Sequence, residues 1–425
     1  MSTIAVTAAS PTTAVVSATP PPRTHASQEL HLSEPAQSEQ RQLLLRSRLE
    51  EGVTYKNDDD NGTVHYQFYL PHASSVAIAP VKVGLVDRGD GAVPVASIGT
   101  PVCMTKHQDG MWATSTSAPV GLQCVVLMVD GHSVLTPHLS IGCLHGFQRA
   151  NYIDVPPPNP KLCIYAIRPC TEHGTVAHNY VTSYTMETTE EVLIYAPPSY
   201  HKAGSATRRY PVLYLLHDNS ENEMNAIRQG KVNVIADNLI ADGKITEMII
   251  VMKSSVSPRI DGACLLPCDV ARLCKDLTDD IIPYIDSHYR TEADCHNRAI
   301  AGVSLASMLA IRLCITRYDL FAYGGIFSGL PHTGWSFTGT NSDYMDTLRR
   351  DPAAFQAAMK VLFRGISDDD THTAIFEADD VLLAELGVAC ERRIYACSHS
   401  WQMWRQAAVD FLPMLFKGLN SPPRH

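Results

Sequence analysis

The chain reads as an α/β protein in which an all-β sandwich precedes a mostly parallel sheet. Three observations predict this. Residues from about 161 to 425 alternate buried-strand runs with helical periods. Residues 51 to about 155 carry short apolar runs beside turn signals. Pro156-Pro157-Pro158-Asn159-Pro160 lies between them as a stiff spacer. The expected division is therefore 1–50 as a disordered tail, 51–158 as a sandwich and 159–425 as the α/β domain.

The tail is rich in Ser, Thr, Pro, Gln and Ala and cannot bury enough surface to offset chain entropy. Leu43, Leu44, Leu45 and Leu49 predict a short helix over 39–50. In the sandwich, Thr63–Leu70 alternates polar and apolar residues at period two, with Asn61-Gly62 before it as a turn signal. Val76–Ile78, Gly110–Thr114 and Val125–Val129 are further short strands, with Asp109-Gly110 and Asp130-Gly131 as hairpin signals. Beyond the spacer, Glu191–Ala196, Val212–Leu216 and Met248–Met252 are continuous apolar runs, as strands buried on both faces require. Asn233–Asp242 reads as a helix closed by Gly243, and Leu273, Leu277, Ile281 and Ile282 place another helix.

Hydrophobic residues make up 45% and charged residues 18% of the 425, which supports folded cores. Net charge is −10 and no Lys/Arg block occurs, so neither nucleic acid nor an anionic membrane is an expected partner. No run is long and apolar enough for a transmembrane helix. Met1–Pro22 lacks a basic start and a continuous apolar run, so no secretory leader is expected and the expected location is cytoplasmic. The twelve cysteines form no CxxC pair, and most read as small buried hydrophobes in a reducing compartment. Cys264, Cys268 and Cys274 are closest to a cluster but have no paired His, so no metal site and no cofactor is expected.

The chemistry concentrates in Arg298–Ser307. An apolar strand meets Gly302-Val303-Ser304-Leu305-Ala306, and an apolar helix follows. A sharp turn of this type lifts a serine hydroxyl above a sheet and points a helix N-terminus at any oxyanion formed there. The same string also fits a serine in an ordinary strand-to-helix turn. A serine nucleophile needs a base, and the base needs an acid, in the chain order Ser, Asp/Glu, His. Downstream, Arg364–Asp370 is a loop after an apolar strand and carries Asp368, Asp369 and Asp370. His399 follows the last short strand, Arg393–Ala396. Both loops would share the carboxyl edge of the sheet with Ser304. His372 is a weaker rival base.

At this point the chain resembles a known family, that of putative esterases, also called esterase D or feruloyl-esterase-like. Tyr210–His217 resembles its YPVLYLLHG strand, Asn233–Lys244 its NVIxDNLIAEGK helix and Asp280–Arg290 its LIPYIExNYR segment. Arg298–Ser307 resembles RAIAGLSMGG, and Asp319–Gly329 resembles DKFAYIGxFSG. His399–Arg405, with Asp410–Phe416, resembles the ending GGHxWxVWR…DFLPLLF. The resemblance spans about 173–417 and implies an α/β-hydrolase fold. Residues 51–158 resemble the Ig-like early-set module that often precedes these esterases, with a packing and positioning role and Trp112 in its core.

The resemblance implies a serine hydrolase that cleaves a carboxylic ester through an acyl-enzyme. Ser304 would be the nucleophile, His399 the base and Asp370 its orienter, with Asp368 and Asp369 as fallbacks. Leu305, and Asp218 or Asn219, would supply oxyanion donors. The implied partner is a small-molecule or glycan-linked ester, such as a feruloyl, acetyl or siderophore ester; homo-oligomers are allowed. Family glycines are replaced by Asp218, Ala306 and Ser307, and Cys397 and Ser398 stand before His399. A carboxylate at 218 facing the oxyanion would oppose the developing charge, and Asp218→Gly would then raise activity about tenfold or more. The rival expectations are a catalytically impaired homologue that binds a ligand or partner through the old cleft, and an acyltransferase using the same three residues.

Overall fold

The computed structural model describes residues 51–56, 61–87, 92–143, 149–159, 163–217, 221–253, 270–329, 342–370 and 373–417. The expected helix over 39–50, Asp218, Asn219 and His372 lie outside these residues. Residues 50–425 form one compact unit.

The first strands are β1 (Gly52–Lys56), β2 (Asn61–Tyr69), β3 (Val76–Asp87), β4 (Ala92–Ile98), β5 (Val102–Cys103) and β6 (Thr105–Lys106). They are followed by β7 (Met111–Pro119), β8 (Gly121–Val129), β9 (His132–Val134), β10 (Ser140–Cys143) and β11 (Arg149–Val155). They build two antiparallel sheets, in the orders β1-β2-β7-β6 and β10-β11-β8-β3-β4, with β5 on β3 and β9 on β8. Val64, Tyr66 and Phe68 of β2 point inward at the expected period of two and meet Ile78, Val125, Leu127 and Ile153 of the facing sheet in one apolar cluster. Trp112 lies in the same cluster, with its indole N–H donating to the Leu70 carbonyl at 2.9 Å. Asp130 and Gly131 both take positive φ, as a two-residue hairpin between β8 and β9 demands. Asn61-Gly62 is no turn: both residues pair within β2, opposite Pro119 and Ala118. The pairing of β2 with β7 extends past the residues whose side chains alternate, so the ladder absorbs the turn signal.

The second part contains β12 (Thr175–Ser183), β13 (Thr188–Ala196), β14 (Val212–Leu216), β15 (Ile249–Lys253), β16 (Arg298–Val303), β17 (Tyr323–Phe327), β18 (Val361–Ser367) and β19 (Glu391–Tyr395). Its helices are α1 (Met224–Arg228), α2 (Val232–Ala241), α3 (Val270–Asp276), α4 (Ile282–His288), α5 (Ala306–Thr316), α6 (Ser342–Arg350), α7 (Pro352–Ala358), α8 (Thr373–Glu385) and α9 (Trp401–Phe411). The sheet order is β12-β13-β15-β14-β16-β17-β18-β19, and only the contacts of β13 are antiparallel. Successive side chains of the central strands feed two clusters. Val212, Tyr214 and Leu216 face one with Ile249, Val251 and Ile300; Leu213 and Leu215 face the other with Ile250, Met252, Ala299 and Ala301. Burial on both faces is why these strands read as unbroken apolar runs.

One expectation is refined and another corrected. The expected helix through Leu273, Leu277, Ile281 and Ile282 is present and runs without a break over 270–288, with a π-helical turn at Leu277–Ile281 between α3 and α4. Pro283, in the first turn of α4, has no N–H to give, and the wider turn accommodates its ring. Among the described cysteines, Cys143, Cys274 and Cys314 are buried, whereas Cys103 and Cys170 are exposed and the rest are half-buried.

Candidate active site

The order of the parallel sheet reverses at β14: the chain steps to β15 on one side and then to β16 on the other. The crevice at the carboxyl ends of these strands is where open α/β sheets hold ligands. Ser304 leaves β16 there. Its φ is +52°, a conformation that non-glycine residues rarely adopt and that a tight strand-to-helix turn enforces. The turn is held by the Ser304 N–H donating to the Phe327 carbonyl at 2.8 Å. Gly302 makes it possible, because a Cβ there would sit 2.3 Å from the Ala306 carbonyl oxygen. Leu305 follows and leads into α5.

Ser307, where the resembling family has glycine, is fully buried, and its hydroxyl donates to the Ser304 carbonyl at 2.5 Å. Gly329 vacates the space this hydroxyl fills: a Cβ on Gly329 would lie 1.4 Å from Ser307 Oγ.

His399 reaches the serine from the loop after β19. Its Nε2 lies 3.1 Å from Ser304 Oγ, and its Nδ1 lies 2.8 Å from Asp370 Oδ2. Asp370 comes from the loop after β18, and its side chain is 1% exposed against 12% for His399. An ionised carboxylate only accepts, so the geometry assigns the proton to Nδ1 and leaves Nε2 to accept from the serine hydroxyl. Asp368 and Asp369 are exposed, and of the three neighbouring acids it is Asp370 that meets the imidazole. Trp404 stands edge-on to His399, with ring centroids 5.5 Å apart. Burial, then Asp369 and Asp368, push the Cys397 thiol up to about 11, so it stays protonated near neutral pH beside the imidazole loop. His217 directly follows β14 at the same edge and is buried.

Two contributors escape sequence reasoning. Glu221 is buried and accepts the Trp401 indole N–H on both oxygens, at 2.9 and 2.8 Å. Gly230 lies beneath that indole, where a Cβ would be 2.4 Å from the ring. Neither belongs to a chemistry-bearing spacing; only the Trp401 motif hints that something must receive its N–H. Among the described residues, no group of three or more His, Cys, Asp or Glu side chains is arranged to hold a metal ion.

Together, this sheet, its reversal at β14 and the serine at its carboxyl edge define an α/β fold of the esterase kind. The same fold is found in the enterobactin esterase of Shigella flexneri, solved in the presence of 2,3-di-hydroxy-N-benzoyl-glycine. That structure matches with a TM-score of 0.57 at 13% identity, over 89% of this chain and 99% of that one. A CE1 ferulic acid esterase from Anaeromyces mucronatus, in complex with ferulic acid, matches with a TM-score of 0.53 at 22% identity, over 60% of this chain and 96% of that one. The chain belongs to the putative esterase family, whose model matches residues 183–414. An endo-1,4-beta-xylanase/feruloyl esterase of Xylanibacter ruminicola is 30% identical over 373 residues, 86% of this chain. The match spans 46% of that relative's length.

Proposed function

We propose that the chain hydrolyses a carboxylic ester through Ser304, His399 and Asp370. The observation that carries this reading is the unbroken line from Asp370 Oδ2 to His399 Nδ1 at 2.8 Å and from His399 Nε2 to Ser304 Oγ at 3.1 Å. His399 takes the serine proton as Oγ attacks the acyl carbon. The imidazolium, stabilised by Asp370, then gives that proton to the leaving alcohol. Water, deprotonated by the same imidazole, releases the acid and restores Ser304. The N–H of Leu305 is one oxyanion donor and the backbone after His217, at Asp218 or Asn219, is the other.

For the substrate we propose an ester of a hydroxylated aromatic acid. Family membership supports the ester, and the relative named for feruloyl esters supports the aromatic acyl group. We propose that the front sheets are an Ig-like module with a packing and positioning role, a reading supported by their two-sheet core.

The test is turnover of p-nitrophenyl acetate and methyl ferulate by the purified chain beside Ser304→Ala, with fluorophosphonate labelling of Ser304. Saturable turnover and labelling, both abolished in the variant, are expected. Absent turnover, or turnover equal in the variant, overturns the assignment and favours the ligand-binding homologue that the replaced glycines motivate.

A further inference from the structure

α9 begins two residues after His399, so its placement sets where the imidazole can lie. Three side chains of its first turns tie it to distant segments. Trp401 donates to Glu221, in the segment that follows His217. Gln402 Oε1 accepts the N–H of Leu122 in β8 at 3.1 Å. Arg405, with a fully buried side chain, grips Asp154 in β11 through both terminal nitrogens at 2.9 Å each, and its Nε donates to the Gln229 carbonyl.

The segment after His217 is held to the same front sheet. Gln229 accepts from the Cys143 N–H at 2.9 Å and donates to the Cys143 carbonyl at 3.1 Å, and the Tyr152 hydroxyl donates to the Arg228 carbonyl at 3.0 Å. α9 and the segment 221–230 are thus joined to each other and to the β10-β11-β8 sheet.

We propose that Asp154 is a positioning residue of the esterase site, acting through Arg405 and α9 to hold His399 against Ser304. This rests on the reading of Ser304 and His399 as the reacting pair. A planar guanidinium gripped at both ends is fixed in orientation as well as in place, which packing alone does not achieve. A buried guanidinium also requires its counter-charge. Burial lowers the pKa of the Lys231 ammonium, the Asp154 charge opposes that and the Arg405 charge adds to it. A displacement of about 1 Å in a reacting group is enough to cost on the order of 100-fold in rate.

The test compares the full chain with Asp154→Asn, Asp154→Glu and the milder Gln402→Ala. kcat and KM are normalised to the fraction of Ser304 that fluorophosphonate labels, and backbone hydrogen exchange is followed over 397–405 and 221–230. Asp154→Asn is expected to lower kcat per labelled site about tenfold or more with KM little changed. Exchange should quicken in both segments but not in β16, and Asp154→Glu should recover part of kcat. Gln402→Ala should show the same pattern more weakly. Unchanged exchange, or faster exchange with kcat per site unchanged, overturns the proposal. An inactive, unlabelled parent overturns the reading of Ser304 instead, and the exchange measurement still decides whether Asp154 holds α9.

Discussion

At the scale of single residues, the proposed mechanism turns on what each group does for a proton moving between Ser304 and His399. In that reading Asp370 fixes the tautomer. Asp370→Asn preserves the shape but can donate to Nδ1, which moves the imidazole proton to Nε2, where it faces the serine hydroxyl. We expect kcat to fall about 10⁴-fold with KM little changed, measured by steady-state turnover of methyl ferulate. The choice of Asp370 over its two neighbours came from a resemblance; spacing alone could not make it, because which of three adjacent carboxylates turns inward depends on the loop that β18 and β19 shape together. The Asp368 N–H donates to the Tyr395 carbonyl at 2.9 Å, which joins those loops and leaves Asp370 to face His399. Ser307 and Gly329 form a second residue-scale unit that sequence reading could only register as a missing glycine. Gly329→Ala alone should lower activity at least about tenfold, since its methyl and the Ser307 hydroxyl cannot share one space. Adding Ser307→Gly should restore most of the loss. A double variant no better than the single one would place the strain elsewhere.

At the scale of elements, strands buried on both faces were easy to read and edge strands were not. β14 begins and ends where its apolar run does. β12 carries Thr175-Val176-Ala177-His178-Asn179-Tyr180, mostly polar and half-exposed, and only its ladder to β13 makes it a strand. The π-helical turn before α4 has a use as well as a cause. It presents Asp280 to the β12–β13 turn, where the Thr185 N–H and the Ser183 hydroxyl donate to Oδ2 at 2.8 and 3.0 Å. Burial raises the Asp280 carboxyl, but the bonds from Thr185 and Ser183 outweigh it and hold the group below the usual carboxylate range. A depressed folded value means that the contribution is present above the ordinary Asp pKa and is lost as pH falls through the folded one. Asp280→Ala should therefore cost about 1 kcal/mol at pH 7, a modest figure because the side chain is partly exposed. Urea denaturation across pH should show that gap narrowing below about pH 4. A gap that widens in acid would contradict the assignment.

At the scale of the whole molecule, the composition and the Pro-rich spacer suggest two parts, while the packing joins them. Leu122 and Tyr152 of the front sheets lie in the same apolar cluster as Trp401, Trp404 and Phe411. A link of this kind leaves no trace in local sequence, since it depends on which face of β8 and β11 meets which face of α9. It has a thermodynamic consequence. If the front sheets and the α/β part unfolded separately, the first to open would expose that cluster and strip Arg405 of Asp154, so each part raises the cost of opening the other. Residues 50–425 should therefore melt in one calorimetric transition. Asp154→Ala should lower stability by about 3 kcal/mol, the low end for breaking a buried ion pair, because the Asp154 side chain is 31% exposed while Arg405 is fully enclosed. The single transition should move down in temperature and split, as the contact that couples the parts weakens. Two transitions already resolved in the parent, or an Asp154→Ala melt that shifts only the earlier of them, would mean that the sheets and the esterase part are neighbours without being thermodynamically joined.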